Sequence, residues 1–233
     1  MKIALLGYGR MGREIEKVAR SRRHEVILKV DKGDFDYDIT RADVAIDFSI
    51  PTAAVNNISN CLNNGVPVIS GTTGWLEDYD KMVSLCESRK GAFIYASNFS
   101  LGVNIFFELN RQLALMMAQL EDYKVSLEEI HHTKKLDAPS GTAITLAEEI
   151  IENSNYTSWN LDEANEHTIP IKALREEDVP GTHSVAYESA IDSIAIAHTA
   201  YNRQGFALGA VIAAEWIIGK QGVFSMKDVL NLG

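Results

Sequence analysis

The chain has 233 residues, 46% of them hydrophobic and 23% charged, a globular composition that fits one large or two small domains and excludes disorder and repeat arrays. A formal charge of −10 repels nucleic acid and anionic membrane surfaces, so an anionic ligand would need a local basic pocket. The longest apolar run, Phe206 to Ile218, is too short to span a bilayer and is interrupted by Glu215; with no signal segment and only two scattered cysteines, Cys61 and Cys86, the expected setting is the reducing cytoplasm, with free, half-buried thiols and no metal site.

The first hundred residues alternate between short β-branched runs and amphipathic stretches. Strands are predicted at Lys2–Leu6, Glu25–Val30, Val44–Phe48, Val66–Ser70 and Phe93–Ala96, with helices at Arg13–Ser21, Ala53–Asn63 and Tyr79–Ser88. Strands apolar throughout and separated by helices predict a parallel sheet covered on both faces. Asp31 to Arg41 is too short and polar for a full βαβ unit, so this Rossmann-type half is trimmed. After Asn98 the pattern changes: a long helix from about Val103 to Leu120, a strand at Tyr123–Ile130, a helix at Thr142–Glu152, a polar loop over Asn153–Asn165, and strands at Thr168–Ala173, His183–Ala190 and Asp192–Ala200. This predicts a smaller α+β domain with a mixed or antiparallel sheet. Phe206–Gly219 is apolar on nearly every side and reads as a buried helix returning to the first domain. The expected domains are thus 1–100 with 206–233 for a dinucleotide, and 101–205 for substrate. The crossings near Ser97–Leu101 and Asn202–Phe206 are the expected hinges for closure.

Gly7-Tyr8-Gly9-Arg10-Met11-Gly12 is a GxGxxG placed between a strand and a helix. Gly7 permits the tight turn, Gly9 lets a pyrophosphate approach the backbone, and Gly12 lets helix and strand pack closely; the helix N-terminus then holds the negative charge. Asp31, ending the next strand, can accept hydrogen bonds from ribose hydroxyls. Its charge disfavours a 2′-phosphate and adjacent Lys32 offsets that, so NADH is the expected cofactor with NADPH use open. Asp47-Phe48-Ser49 and Gly71-Thr72-Thr73-Gly74 follow strands and should lie at the crevice, the second offering hydroxyls and N–H groups to a nicotinamide ribose or amide.

His131, His132, Lys134 and Lys135 make a positive patch on an acidic chain, suited to a dianionic substrate. Pro139-Ser140-Gly141-Thr142 predicts a helix start, with Ser140 as N-cap and exposed N–H groups able to take a carboxylate. The unbroken run His131-His132-Thr133-Lys134-Lys135-Leu136-Asp137-Ala138-Pro139-Ser140-Gly141-Thr142-Ala143 resembles the signature of the 4-hydroxy-tetrahydrodipicolinate (dihydrodipicolinate) reductases. The likeness extends to the glycine motif, Asp47-Phe48-Ser49, Gly71-Thr72-Thr73-Gly74, Ser97 to Asn104, Gly181-Thr182-His183, and the helix from Phe206 to Trp216. Three places depart from that pattern: the short stretch after Asp31, Glu177 in place of a common glycine, and Lys134 in place of a histidine found in some members.

The resemblance implies NAD(P)H-dependent reduction of a small cyclic dicarboxylate in diaminopimelate and lysine biosynthesis, by a homotetramer built through the second-domain sheets. It implies His131 and Lys135 as the acid/base pair, and His132, Lys135, Ser140, Gly141 and Thr142 as carboxylate ligands. Ser97, Asn98 and Phe99 are implied at the hinge and nicotinamide pocket, joining Gly7, Gly9, Arg10, Met11, Gly12, Asp31, Phe48, Gly71, Thr72 and Thr73 around the cofactor. Lys134 and His131 beside Lys135 should lower its proton affinity by like charge. Two other readings stand beside this one: a different Rossmann oxidoreductase, such as an aspartate or sugar dehydrogenase, and a non-catalytic dinucleotide sensor on the same fold. The Glu-Lys-Pro motif of sugar-oxidising relatives is missing, and a sensor has no need of a proton donor beside a carboxylate nest.

Overall fold

The computed structural model describes residues 1–31, 33, 36–162 and 165–232, and the chain packs as two units, Met1–Leu101 with Arg203–Gly233, and Gly102–Asn202. Lys32, the expected offset to Asp31, lies outside the described residues.

In unit 1, six strands run parallel: β1 (Lys2–Leu6), β2 (Glu25–Val30), β3 (Val44–Asp47), β4 (Val68–Ser70), β5 (Ala92–Tyr95) and β11 (Gly222–Phe224), in the order β11-β5-β4-β3-β1-β2. The apolar runs are explained by alternation. Ile3 and Leu5 of β1 face the layer of α1 (Arg10–Ser21) and α6 (Gln204–Ile217), whereas Ala4 and Leu6 face that of α2 (Pro51–Asn63) and α3 (Tyr79–Ser88). α6 is buried or half-buried along most of its length because it lies on this sheet. A Cβ on Gly209 would stand 1.7 Å from the Phe99 carbonyl oxygen, so only glycine permits that approach. Cys61 and Cys86 sit on the sheet-facing sides of α2 and α3 and are wholly buried rather than half-buried. Burial pushes both thiols up.

Chain order reverses between β1 and β3: β2 pairs on one side of β1 and β3 on the other, opening a crevice at the carboxyl ends. The glycine motif, Phe48-Ser49 and Gly71–Gly74 all follow strand ends there. The sequence missed β11 and the short α7 (Met226–Leu230), whose apolar runs are too brief for a periodic signal.

Unit 2 carries the predicted mixed sheet, ordered β10-β9-β6-β8-β7. Its strands are β6 (Lys124–His132), β7 (Ser158–Leu161), β8 (Thr168–Glu176), β9 (Gly181–Glu188) and β10 (Ser193–Ala200). β6 pairs antiparallel with β9 and parallel with β8. The loop predicted over Asn153–Asn165 contains β7, a half-exposed edge strand paired with β8; Trp159 and Leu161 alternate with Ser158 and Asn160, but the run is four residues long, the shortest in which alternation can be read. One sheet face is covered by α4 (Leu101–Met117) and α5 (Gly141–Glu152), which meet Val125, Leu127, Ile169, Ile171, Val185 and Tyr187. Among the described residues no helix is long and apolar enough to cross a membrane.

Candidate functional site

In unit 1, Gly7 has φ of 97°, and a Cβ there would lie 2.1 Å from the Phe48 carbonyl oxygen. A Cβ on Gly12 would lie 2.3 Å from the Gly7 carbonyl oxygen, so both glycines are steric necessities. Gly9 differs: nothing lies within 4 Å of its missing Cβ, and it caps α1 without a side-chain hydrogen bond or an acidic residue in the first turn. The N-terminal amides of α1, from Arg10, Met11 and Gly12, therefore face an uncapped, open position, the geometry a pyrophosphate requires. Beside them the Tyr8 hydroxyl bonds Glu16, and Lys29 Nζ sits 2.8 Å from the same carboxylate and 4.6 Å from the Tyr8 ring centroid. Lys29 first, then Tyr8, hold the Glu16 carboxyl down at about 2. Asp31 is exposed at the end of β2.

The crevice loops hang on one buried carboxylate. Asp47 accepts from Ser49 Oγ (2.7 Å), Asn57 Nδ2 (2.9 Å), Ser70 Oγ (2.8 Å) and Thr72 Oγ1 (2.8 Å), and Thr72 Oγ1 in turn accepts the Ser49 amide at 2.8 Å. Burial pushes the Asp47 carboxyl up despite these four donors. Phe48 covers Gly71, where a Cβ would meet the ring at 2.4 Å, and its ring centroid lies 5.6 Å from that of Phe99. Thr73 and Ser97 are exposed, and Asn98 Oδ1 accepts the Ser100 amide at 2.9 Å. Phe99 is 1% exposed, so its place is in the core behind the crevice.

In unit 2, the chemistry-bearing residues gather at the end of β6. Alternation puts Glu129 and His131 on its buried face and carries His132 to the other, so the two histidines diverge instead of forming one patch. The register sets Arg175 of β8 beside His131 and His183 of β9 beside Glu129. Glu129, wholly buried, accepts the Ser140 amide at 3.0 Å and Arg175 Nη1 at 3.3 Å. His131 Nδ1 stands 3.5 Å from Glu129 Oε2 without the alignment of a hydrogen bond, so their interaction is Coulombic. Arg175 Nη2 donates to the Asp137 carbonyl at 2.6 Å. Lys135 Nζ donates to both Asp137 carboxylate oxygens, at 2.7 and 2.9 Å, an opposite charge that the like-charge reading of Lys134 and Lys135 did not include.

Ser140 caps α5 as expected, its Oγ accepting the Ala143 amide at 3.2 Å and lying 3.0 Å from His183 Nε2. The Gly141 and Thr142 amides have no acceptor among the described residues, and nothing lies within 4 Å of the missing Gly141 Cβ, which leaves a nest for a carboxylate. Burial lowers His131, opposed by Glu129 and reinforced by Lys135 and Arg175. Burial also drives His183 down to about 3, with His131 adding to it, so this imidazole is neutral at pH 7. The sequence missed Glu129 and Arg175 as site members; their signal was their position, two and zero residues from the β6–β8 register of His131.

Glu129, His131 and His183 offer ligand atoms within 4.8 Å of one another, a spacing that could hold a metal ion. The Arg175 guanidinium and the Ser140 amide already occupy that carboxylate, so the positive charge a metal would bring is supplied by the chain.

A folded-state value of about 3 for His183, below the ordinary histidine value, means that the unfolded chain binds more protons between those limits. Stability is thus complete above about pH 6.5 and lost as pH falls toward 3. Thermal midpoints between pH 7 and 4 should fall less steeply for His183→Gln than for the wild type; parallel slopes would refute the neutral buried imidazole.

Comparisons with known proteins agree across the chain. Residues 1–99 match the family described as "Dihydrodipicolinate reductase, N-terminus" and residues 102–230 match "Dihydrodipicolinate reductase, C-terminus". The chain is 60% identical to a 4-hydroxy-tetrahydrodipicolinate reductase of Christiangramia forsetii, covering 99% of this chain and 98% of that one. It is 38% identical to one of Methanoculleus marisnigri over 82% of this chain and 77% of that one. The fold superimposes on a dipicolinate-bound dihydrodipicolinate reductase from Paenisporosarcina sp. TG-14 with a TM-score of 0.78, at 23% identity and 97% coverage of each chain.

Proposed function

Because the chain belongs to the dihydrodipicolinate reductase family, we infer that it reduces 4-hydroxy-tetrahydrodipicolinate to tetrahydrodipicolinate with NADH or NADPH, in diaminopimelate and lysine biosynthesis. The observation that carries the reading is the linkage, within unit 2, of two titratable side chains to the entry of α5: Glu129 stands 3.5 Å from His131 Nδ1 and accepts the Ser140 amide, Arg175 joins Glu129 to the Asp137 carbonyl, and Asp137 holds Lys135. One device binds a carboxylate, the other delivers a proton, and reduction of a cyclic dicarboxylate needs both.

Unit 1 takes the dinucleotide in this reading. The α1 amides of Arg10, Met11 and Gly12 meet the pyrophosphate over Gly7 and Gly9, and Asp31 takes the ribose hydroxyls. Phe48, Gly71, Thr72, Thr73, Ser97 and Asn98 shape the nicotinamide side, with Phe99 supporting them from the core. The cofactor, when bound, supplies a hydride. Unit 2 supplies the rest: Ser140, Gly141 and Thr142 seat one carboxylate on the α5 dipole and Lys135 adds positive charge, while His132, the other ligand that the resemblance implies, is on the opposite face of β6. The 4-hydroxyl leaves as water to give an unsaturated imine; Lys135 is the first choice of proton donor to the ring that then gains the hydride, with His131 as helper. Asp31 favours NADH. The open face of the second sheet, exposed along much of β10, is the surface through which we assign a homotetramer, and the cytoplasm is the compartment assigned.

The test is a coupled assay that generates the substrate from pyruvate and aspartate semialdehyde and follows loss of NADH or NADPH absorbance. Turnover, faster with NADH, is the expected result. Cofactor binding without oxidation would favour the sensor, and turnover only with another carbonyl or imine substrate would favour a different oxidoreductase.

A further inference from the structure

The mechanism above leaves the most deeply buried charged side chain of unit 2 unused. Glu129 is wholly inaccessible, yet Ser140, His131, His183 and Arg175 all stand around its carboxylate. It accepts the amide of Ser140, the residue that opens the carboxylate nest, at 3.0 Å, and it stands 3.5 Å from His131 Nδ1 and 3.7 Å from His183 Nε2. Arg175 Nη1 meets its second oxygen at 3.3 Å, and Arg175 Nη2 ties the Asp137 carbonyl at 2.6 Å, so the same pair holds the residue that grips Lys135.

We propose that Glu129 is the positioning residue of the reductase site: through His131, Ser140 and Arg175 it places the His131 imidazole beside a counter-charge and locks the carboxylate nest against the end of β6. The proposal rests on the reading of His131 as an acid. Glu129 touches no substrate in this scheme; it acts as an outer carboxylate does on a catalytic histidine, by orientation and counter-charge.

The charges around His131 set the sign of the test. Glu129 on β6 and Asp137 in the following loop favour its protonated form, whereas Lys135 in that loop and Arg175 on β8 disfavour it; His183 on β9, neutral at pH 7, adds no charge. Burial already lowers it, so the opposing field of Glu129 decides how high in pH the proton is retained. If His131 must be protonated to act, activity falls as pH rises through its value. Removing the charge of Glu129 moves that alkaline limb to lower pH; removing the charge of Arg175 moves it to higher pH.

The experiment uses the full chain with its cofactor and measures kcat, KM and their pH profiles, together with calorimetric binding of dipicolinate. Glu129→Gln keeps an oxygen for the Ser140 amide. It should therefore hold dipicolinate affinity within about threefold, while kcat falls roughly 10–100-fold and the alkaline limb moves acidic. Glu129→Asp should bring the limb back toward its original position. Wild-type kcat with an unmoved limb in Glu129→Gln overturns the proposal, as does a folded Glu129→Asp whose limb stays with that of Glu129→Gln. Should Glu129→Gln not fold, Arg175→Gln decides: an alkaline shift of the limb supports the proposal and no shift overturns it. His131→Asn is run in parallel: full turnover there would remove His131 as an acid and overturn this proposal while leaving the reductase reading intact, whereas a wild-type chain that binds cofactor but does not turn over would overturn that reading instead.

Discussion

Lys135→Ala should lose roughly 10²–10⁴-fold in kcat, the range for removal of a general acid, and more if the ammonium also anchors substrate. The geometry separates the two contributions. Lys135 Nζ is held by both oxygens of Asp137, and its side chain is mostly covered, so the ammonium is positioned before a ligand arrives. Such preorganisation adds to rate because no ordering remains to be done in the transition state. Lys135→Arg is the discriminating variant: it keeps a positive charge for the carboxylate but cannot release a proton at any working pH. KM and dipicolinate affinity should therefore stay near wild type in Lys135→Arg while kcat collapses, and both should deteriorate in Lys135→Ala. Steady-state rates and calorimetry on the two variants give the answer. A Lys135→Ala enzyme with near-normal turnover would remove this residue from the mechanism and leave the proton to His131.

How much of this was legible in the sequence follows the physics of each signal. The parallel sheet was legible because both its faces are buried, so β1, β3 and β4 are apolar except at their ends, Lys2, Asp47 and Ser70. The glycine motif was legible because Gly7 and Gly12 are forced by backbone contacts, and a forced glycine leaves a fixed spacing. β7 was not, because its marked face consists of Trp159 and Leu161 alone, in a run of four residues. The carboxylate nest was readable from Ser140, a local cap. His183 was quoted in the sequence without a role and Arg175 was missed, because their meaning lies in the pairing of β6 with β8 and β9, and register across 44 to 54 residues leaves no local trace. The run of histidines and lysines misled in one respect: adjacency in a strand is separation in space, and His132 leaves the face that His131 shares with Glu129. Phe99 misled in another, since an aromatic beside a motif can be core, as its 1% exposure shows.

The same reasoning makes Asp47 the residue whose loss should most damage unit 1. Its two oxygens take four side-chain donors from the β3–α2 loop, α2, the end of β4 and the loop that follows, and the described hydrogen bonds give it no cationic partner. Asp47→Ala leaves those donors facing a cavity; Asn57 and Ser70 are buried, and each orphaned group costs about 1–3 kcal/mol, so a total of roughly 2–4 kcal/mol is expected after water enters the gap. Because the Phe48-Ser49 and Gly71-Thr72 loops lose their shared anchor, NADH affinity should fall with stability. Asp47→Asn should be milder, since hydroxyls rotate to accept from an amide. Its pH dependence carries the sharper test. Burial raises the Asp47 carboxyl in the fold above its unfolded value, so the native state binds more protons between the two and wild-type stability declines as pH rises through that window. Asn carries no such burden, and the penalty of Asp47→Asn should shrink between pH 4.5 and 7.5. Urea unfolding of both variants at the two pH values, followed by tryptophan fluorescence, with NADH titrations at pH 7.5, measures each part. An Asp47→Ala chain that unfolds at the wild-type urea concentration would mean that the four donors find other partners and that this carboxylate anchors nothing.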